Sequence, residues 1–172
     1  GERPIVYTDL DKMLDSVPGL EALDIVTDPS THHVFAEKAF DAGLNVMTEK
    51  PMGLTIRACQ LMRSSAERAG KVLSIAENYR RDPMNRLAKA LIDTGVIGNP
   101  NFMLKTGVAG GSLLAHNTAW RAMKLRAGGP ILDQGVHEAD LMMYFMGDVR
   151  SVYAETAIFT PLRKRADAGE NL

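Results

Sequence analysis

The sequence predicts an α/β fold built on a parallel sheet. Short apolar runs alternate along the chain with longer stretches of helical periodicity. Residues 23–27 and 44–48 are two such runs on either side of a helical stretch, and together they have the size of a βαβ crossover, about 26 residues. The chain of 172 residues is 45% hydrophobic, which is enough to form a compact core.

Local signals place the elements around these two runs. Residues 9–14 have an acidic first turn and apolar residues at helical spacing, and Pro18-Gly19 ends that helix. The turn residues 28–31 lead from the strand at 23–27 into a helix that ends at Gly43.

A second unit follows the same plan. Thr55 is predicted to cap a helix that runs to Gly70, and residues 71–76 form the next strand. Asp82-Pro83 predicts another helix start, with a capping side chain and proline at the first helical position, and that helix continues to Gly95.

The rest of the chain is less regular. Residues 102–108 alternate weakly between apolar and polar side chains and could form a strand, and residues 150–159 alternate as a strand does. Residues 109–118 indicate a loop, residues 131–146 a helix, and the charged residues from 161 onward a frayed tail.

Composition excludes several classes of protein. Twenty Lys and Arg against 21 Asp and Glu give a net charge of −1, so no general basic field is present to hold nucleic acid or an anionic membrane. The single cysteine, Cys59, cannot form an intramolecular disulfide or a cysteine-rich metal site. No apolar run approaches the roughly 18 residues of a membrane span, and no signal peptide is visible. We therefore expect a soluble, cytoplasmic protein.

Two candidate sites follow predicted strands. Thr27, Ser30 and His32 lie at the carboxyl end of a strand, where ligands bind in open α/β sheets. The alternative is a plain connection in which Ser30 or Thr31 caps the helix. Glu49-Lys50-Pro51 follows the next strand, where proline permits a cis bond and the lysine is a candidate hydrogen-bond donor or acid/base group. Its alternative is a solvated charge pair.

The third candidate is a polar stripe on the helix at 131–146. Asp133, His137, Asp140 and Tyr144 share one face of an otherwise apolar helix, and a carboxylate beside a histidine can orient it for proton transfer. The stripe could instead be a wet face, or Asp133 and His137 could ligate a metal, although no complete metal-binding spacing is present.

The fourth candidate, Trp120-Arg121, follows the loop. It could supply a flat surface and a planar cation at the mouth of a cleft, or it could be a core tryptophan with a surface arginine.

These candidates belong to a longer series of short motifs that runs from about Tyr7 to about Glu155. The series consists of Thr27 with His32, Ala42-Gly43, Val46, Glu49-Lys50-Pro51-Met52, Tyr79-Arg80 with Pro83, Leu91 to Gly98, Trp120-Arg121, Gly128-Gly129, and Leu132-Asp133 with Gly135, His137 and Asp140. Taken together, the series resembles the Gfo/Idh/MocA family of NAD(P)-dependent oxidoreductases. Its most specific part is the Glu-Lys-Pro triplet combined with the Asp-x-Gly-x-His helix.

The resemblance implies an organisation and an activity. Residues 1–77 would be part of a Rossmann-like cofactor domain, and residues 78–172 the start of a substrate domain with an open sheet. The complete protein would transfer a hydride between NAD or NADP and a hydroxyl or carbonyl of a sugar, polyol or related small molecule, and it would be a homo-oligomer.

The resemblance also implies roles for individual side chains. The catalytic residues would be Lys50, Asp133 and His137. The cofactor-binding residues would be Thr27, Ser30, His32, Glu49, Lys50, Trp120 and Arg121. No metal ligand is implied.

The sequence also departs from the family pattern. Asp28 stands where the family usually has proline, and its carboxylate would repel a pyrophosphate unless it points away or meets a ribose hydroxyl. No G-x-G-x-x-G occurs in the 172 residues, so we expect the chain to be an internal fragment that binds a dinucleotide weakly by itself. Two other functions stay open: a truncated, non-catalytic scaffold or assembly partner, and a metal-dependent lyase or hydrolase that uses Asp133 and His137.

Overall fold

The computed structural model describes residues 3–107 and 119–158, which divide into two compact units. Within those ranges, the first unit contains residues 3–27 and 31–76, and the second contains residues 28–30, 77–107 and 119–158.

The first unit is built on a parallel three-stranded sheet, as predicted from the apolar runs. Its strands, in their order across the sheet, are β1 (Ala22–Ile25), β2 (Asn45–Thr48) and β3 (Leu73–Ile75). In the register, Ile25 lies beside Thr48, and Thr48 lies beside Ile75. All three strands therefore reach their carboxyl ends at the same edge of the sheet.

The helices of the first unit are α1 (Leu10–Ser16), α2 (His32–Asp41) and α3 (Ile56–Ala69). Two of these helices have side-chain caps: Asp9 accepts from the backbone of Lys12, and Thr55, as predicted, accepts from the backbone of Ala58. Helix α3 ends at Gly70, whose left-handed backbone (φ 63°) suits a residue without a Cβ.

The core of the first unit lies between its helices and the sheet. Helices α2 and α3 pack against each other, and each also contacts the sheet. Phe40 from α2, Val46 from β2 and Met62 from α3 are among the fully or nearly fully buried side chains. Burying these large apolar groups stabilises a βαβ unit whose strands are only three or four residues long.

The second unit is helical in the part of the chain that the structure describes. Its elements are a short 3₁₀ turn (Tyr79–Arg81), α4 (Pro83–Asp93), a second 3₁₀ turn (Ala119–Ala122), α5 (Lys124–Ala127) and α6 (Pro130–Met146). Asp82 caps α4 by accepting from the backbone of Met84, as its place before proline predicts. The long helix α6 contacts all the others in this unit, so its side chains are held from several directions.

Two predicted strands are not formed. Residues 102–107 and 150–158 have no regular secondary structure, while Val108 and Phe159 lie outside the described residues. Phe102 and Tyr153 are 82% and 85% exposed, so these apolar side chains of the alternating pattern are not packed against a core. A strand exists only through backbone bonds to a neighbour, and the described residues provide none for these segments.

The predicted loop at 109–118 and the tail from 161 also lie outside the described residues. No helix within the described ranges has the length and apolar character needed to cross a bilayer.

Candidate functional site

The carboxyl edge of the sheet gathers the predicted residues of the first unit. Past β1 and β2, the backbone N–H of Glu49 donates to Ile25 at 2.9 Å, and that of Ala76 donates to Thr48 at 2.8 Å. The exits of neighbouring strands are thereby held side by side. Thr27, Glu49 and Lys50 consequently lie at the edge where open α/β sheets bind their ligands.

The Glu-Lys-Pro segment forms a folded strand exit. The Lys50–Pro51 peptide bond is cis, which the proline had made permissible. Glu49 accepts from the backbone N–H of Lys50 at 3.2 Å through Oε2, and both side chains are half-buried. Glu49 therefore holds its own loop, which a freely solvated pair of surface charges would not do.

His32 links the two strand exits. Its side chain is fully buried at the start of α2, with Nδ1 3.1 Å from the carbonyl oxygen of Pro51 and Nε2 3.0 Å from that of Thr27. Both ring nitrogens face backbone of the first unit, so a ligand could reach the ring only by displacing one of these loops. The Thr31 hydroxyl also donates to that of Thr27, at 2.8 Å.

The unusual Asp28 is held within the second unit. The Ser30 hydroxyl donates to Oδ1 of Asp28, and Nε and Nη2 of Arg126 donate to Oδ2 at 3.0 and 2.6 Å. The Ser30 hydroxyl bond, followed by the Arg126 bonds, holds the pKa of the Asp28 carboxyl below its usual range, although burial opposes this. The charge of Asp28 is thus compensated by Arg126, and the proton of the Ser30 hydroxyl is already engaged.

Helix α6 buries the first part of the predicted polar stripe. Asp133 and His137 are 3% and 5% exposed, which disagrees with a simply wet helix face. Further along the stripe, Asp140 accepts both from Nε of Arg80, at 2.7 Å, and from its terminal nitrogen. The Arg80 guanidinium also lies 5.4 Å from the centre of the Tyr144 ring.

His137 has two partners that the sequence had not marked as functional. Its Nδ1 is 2.6 Å from Oε1 of Glu77, and its ring stacks on Tyr79 with centroids 4.0 Å apart and planes 10° from parallel. Glu77 is buried, and its other oxygen has no hydrogen-bond partner among the described residues. The available signal was its position directly after a strand, which it shares with Thr27 and Glu49.

Trp120 and Arg121 extend the cluster around Asp133. A terminal nitrogen of Arg121 is 3.7 Å from Oδ2 of Asp133, and the guanidinium lies 5.4 Å from the centre of the Trp120 ring. Both side chains are half-buried, and Nε of Arg121 is buried without a hydrogen-bond partner in the described part of the chain. The pair is therefore neither a fully buried tryptophan nor a free surface arginine.

The structure thus collects the predicted residues into two groups. The first unit holds Thr27, His32, Glu49 and Lys50, and the second holds Ser30, Trp120, Arg121, Asp133 and His137. Within residues 3–107 and 119–158, no three His, Cys, Asp or Glu side chains converge as a metal site requires.

Family models match both parts of the sequence. Residues 2–77 match the oxidoreductase family with an NAD-binding Rossmann fold, and residues 85–170 match the GFO/IDH/MocA C-terminal domain. The parallel sheet and flanking helices of the first unit agree with the first of these matches.

Known proteins resemble the chain over most of its length. Levoglucosan dehydrogenase of Pseudarthrobacter phenanthrenivorans is 30% identical over 154 residues, covering 88% of this chain and 40% of that protein. A solved structure of levoglucosan dehydrogenase in complex with NADH and L-sorbose is 27% identical with a TM-score of 0.76, covering 95% of this chain and 43% of the other. Myo-inositol 2-dehydrogenase from Lactobacillus plantarum is 27% identical with a TM-score of 0.72, covering 82% of this chain and 41% of the other.

The chain spans about two fifths of the length of these relatives, 40–43%. Its matches nevertheless run through both units, and the motifs at Glu49-Lys50-Pro51 and at Asp133 to His137 occur in the order that the family resemblance requires. The chain belongs to the GFO/IDH/MocA family of oxidoreductases.

Proposed function

We propose that the protein is an NAD-dependent dehydrogenase that oxidises a hydroxyl of a sugar, a polyol or a related small molecule, or reduces the corresponding carbonyl. The observation that carries the proposal is the buried pair of Asp133 and His137 on α6, in a chain of this oxidoreductase family. The names of the similar proteins, a levoglucosan and a myo-inositol dehydrogenase, favour a sugar-like or polyol substrate.

The residues at the carboxyl edge of the sheet suit a dinucleotide. Lys50 and Thr27 lie at this edge, and the negative charge of Asp28 is already compensated by Arg126. The expected repulsion between Asp28 and a pyrophosphate is thereby reduced. Thr27, Ser30, Glu49 and Lys50 would lie along the cofactor, while the buried His32 would hold their loops in place.

Trp120 and Arg121 would approach the nicotinamide end of the cofactor. When bound, the nicotinamide is the two-electron acceptor of the reaction. The matched family description and the NADH-containing relative favour NAD, whereas NADP has no specific support.

The protein's own groups would handle the substrate oxygen and its proton. His137 would take the hydroxyl proton through the ring nitrogen that faces away from Glu77. Lys50 would donate a hydrogen bond that stabilises the negative charge developing on the substrate oxygen, and Asp133 would help to hold that oxygen in place. In the reverse direction, His137 would return the proton.

We further propose that the cofactor-binding part comprises residues 1–77 and the substrate part begins at residue 78. The family matches at 2–77 and 85–170 support this boundary, and the change of compact unit after Ala76 lies within one residue of it. Homo-oligomerisation and a cytoplasmic location stay predictions. Neither the scaffold function nor the metal-dependent one gains support from the described residues.

The central test is His137→Ala in the complete protein. We expect kcat to fall by about 10²–10⁴-fold, the contribution typical of general acid–base catalysis. Affinity for NAD should change less than about twofold, because His137 is assigned to the substrate proton and not to cofactor binding. Turnover can be followed by NADH absorbance with levoglucosan and myo-inositol as probe substrates, and NAD affinity by fluorescence titration.

His33→Ala is the matched control. It also removes a histidine, but one that is half-buried next to His32 and outside the proposed site, so turnover should stay near the wild-type level. Near-normal turnover of His137→Ala would remove His137 from its catalytic role and refute the proposed mechanism.

A further inference from the structure

Glu77 is a buried acid that the proposed mechanism leaves without a role. It lies just after β3, is 8% exposed, and uses one carboxylate oxygen for two contacts. That oxygen, Oε1, accepts from the backbone N–H of Tyr79 at 3.1 Å and lies 2.6 Å from Nδ1 of His137. A buried carboxylate is unfavourable unless its interactions compensate for lost hydration, so these contacts define its place in the site.

The contact bears on which nitrogen of His137 carries the proton. When the Glu77 carboxylate is ionised it can only accept hydrogen bonds, and Nδ1 of His137 is then the donor. In the neutral ring, Nε2 then carries the lone pair and is the atom able to accept a proton. The backbone of Tyr79 holds the accepting oxygen of Glu77 in position.

Stacking fixes the plane of the same ring. The Tyr79 ring lies 4.0 Å from His137 and nearly parallel to it, so rotation of the imidazole would break both the stacking and the bond to Glu77. Two independent contacts therefore agree on one orientation of His137.

The other charged groups around His137 are engaged in pairs of their own. On α6, Asp133 faces Arg121 at 3.7 Å, and Glu138 faces Lys105 at 3.2 Å. From the 3₁₀ turn, Arg80 pairs with Asp140, and it also feels the charge of Glu77. Among the described residues, the acid in hydrogen-bond contact with the His137 ring is Glu77.

We propose that Glu77 is the positioning residue of His137: its carboxylate holds the ring in the tautomer with the proton on Nδ1 and stabilises the imidazolium formed when Nε2 accepts the substrate proton. This inference rests on the proposed function of His137. It adds a residue that works through the histidine and does not touch the substrate.

The test compares Glu77→Gln with Glu77→Ala in the complete protein. Glutamine keeps the shape and an accepting oxygen but removes the charge, whereas alanine removes both. With levoglucosan and myo-inositol as probe substrates, we expect kcat to fall about 10-fold for Glu77→Gln and up to about 100-fold for Glu77→Ala, by analogy with the loss measured when the partner that orients a metal-ligating histidine is removed. KM and NAD affinity should stay within about twofold.

Glu138→Gln is the matched control for loss of a nearby negative charge. Glu138 is the next residue on the same helix, but its carboxylate faces Lys105. We expect its effect on kcat to be several times smaller than that of Glu77→Gln. Equal losses would show that a general field acts on His137, and they would overturn the specific role of Glu77.

A readout independent of turnover is the tautomer of His137, measured by nitrogen NMR of histidine-labelled protein, with the signal assigned by its loss in His137→Ala. We expect neutral His137 to carry its proton on Nδ1 in the wild type, and to show a mixture or the Nε2 form in Glu77→Ala. If that variant does not fold, the near-isosteric Glu77→Gln provides both the kinetic and the spectroscopic result.

The outcomes separate this inference from the proposed function. A wild-type proton on Nε2, or a kcat for folded Glu77 variants within twofold of wild type while His137→Ala is inactive, overturns the role of Glu77 alone. An active His137→Ala protein refutes the proposed function and with it a catalytic purpose for Glu77, even if the tautomer is as expected.

Discussion

Replacing Gly128 with alanine should destabilise the second unit through two separate effects. Gly128 ends α5 with a left-handed backbone, φ 74°, just before the helix that carries Asp133 and His137. A Cβ at this position would lie 2.4 Å from Cδ2 and 2.9 Å from Cβ of Leu132. The first atom can move with its side chain, but Cβ of Leu132 can move only with the backbone of α6.

The expected loss can be assembled from these effects. The left-handed conformation costs a residue with a Cβ roughly 1–2 kcal/mol. The reduced conformational freedom of the unfolded chain offsets about 0.4–1 kcal/mol of this loss. Overpacking against Leu132 increases the loss by about 1–3 kcal/mol. Together these effects lead us to expect that Gly128→Ala lowers the free energy of unfolding by about 1–5 kcal/mol.

Gly98→Ala is the control that separates the two effects. Gly98 has the same φ of 74° in the same unit, but a Cβ there would meet no atom within 4 Å. Its loss should be limited to about 1 kcal/mol. Urea unfolding followed by fluorescence of Trp120, the sole tryptophan among the 172 residues, and by circular dichroism measures both variants. Equal losses for the two variants would refute the steric part of this reasoning.

Two further predictions concern polar side chains near the strand exits. Asp28→Asn should lower the melting temperature at neutral pH. Because Ser30 and then Arg126 depress the pKa of Asp28, the wild type should keep its higher melting temperature down to the usual aspartate pKa of 3.8 and lose it as the pH falls through the depressed pKa of Asp28. Melting curves from about pH 7 to pH 3 measure this gap, and a gap that widens with acid would contradict it. Thr48→Val should leave the free energy of unfolding unchanged or raise it by up to about 1 kcal/mol. The buried Thr48 hydroxyl has no hydrogen-bond partner among the described residues, and valine has nearly the same shape. A loss above about 1 kcal/mol in urea unfolding would indicate a partner for that hydroxyl.

Features that depend on a few neighbouring residues could be predicted from the sequence. The caps at Thr55 and Asp82 are such cases, because the side chain and the backbone N–H that it accepts from are two or three residues apart. The shared face of Asp133 and His137 follows in the same way from the pitch of a helix. The parallel sheet could be predicted because three apolar runs are separated by crossover-sized helical segments.

Features that depend on residues far apart in the chain could not be predicted from the sequence. Glu77 contacts His137 across 60 positions, and Arg126 compensates Asp28 across 98, so neither short motif contains its partner. The predicted strands are not formed over their described residues, 102–107 and 150–158, for a related reason. Alternating side chains favour an extended backbone, but the strand itself requires a neighbour to pair with.

The compact units do not follow the chain as two consecutive blocks. Residues 28–30 belong with the second unit, although the residues on both sides of them belong to the first. During synthesis, Asp28 is made 98 residues before Arg126, with which it pairs. The βαβ core around residues 28–30 can therefore form before this ion pair does. A cut between Ala76 and Glu77 would consequently not yield two whole domains, because Asp28 would lie on one fragment and its partner Arg126 on the other.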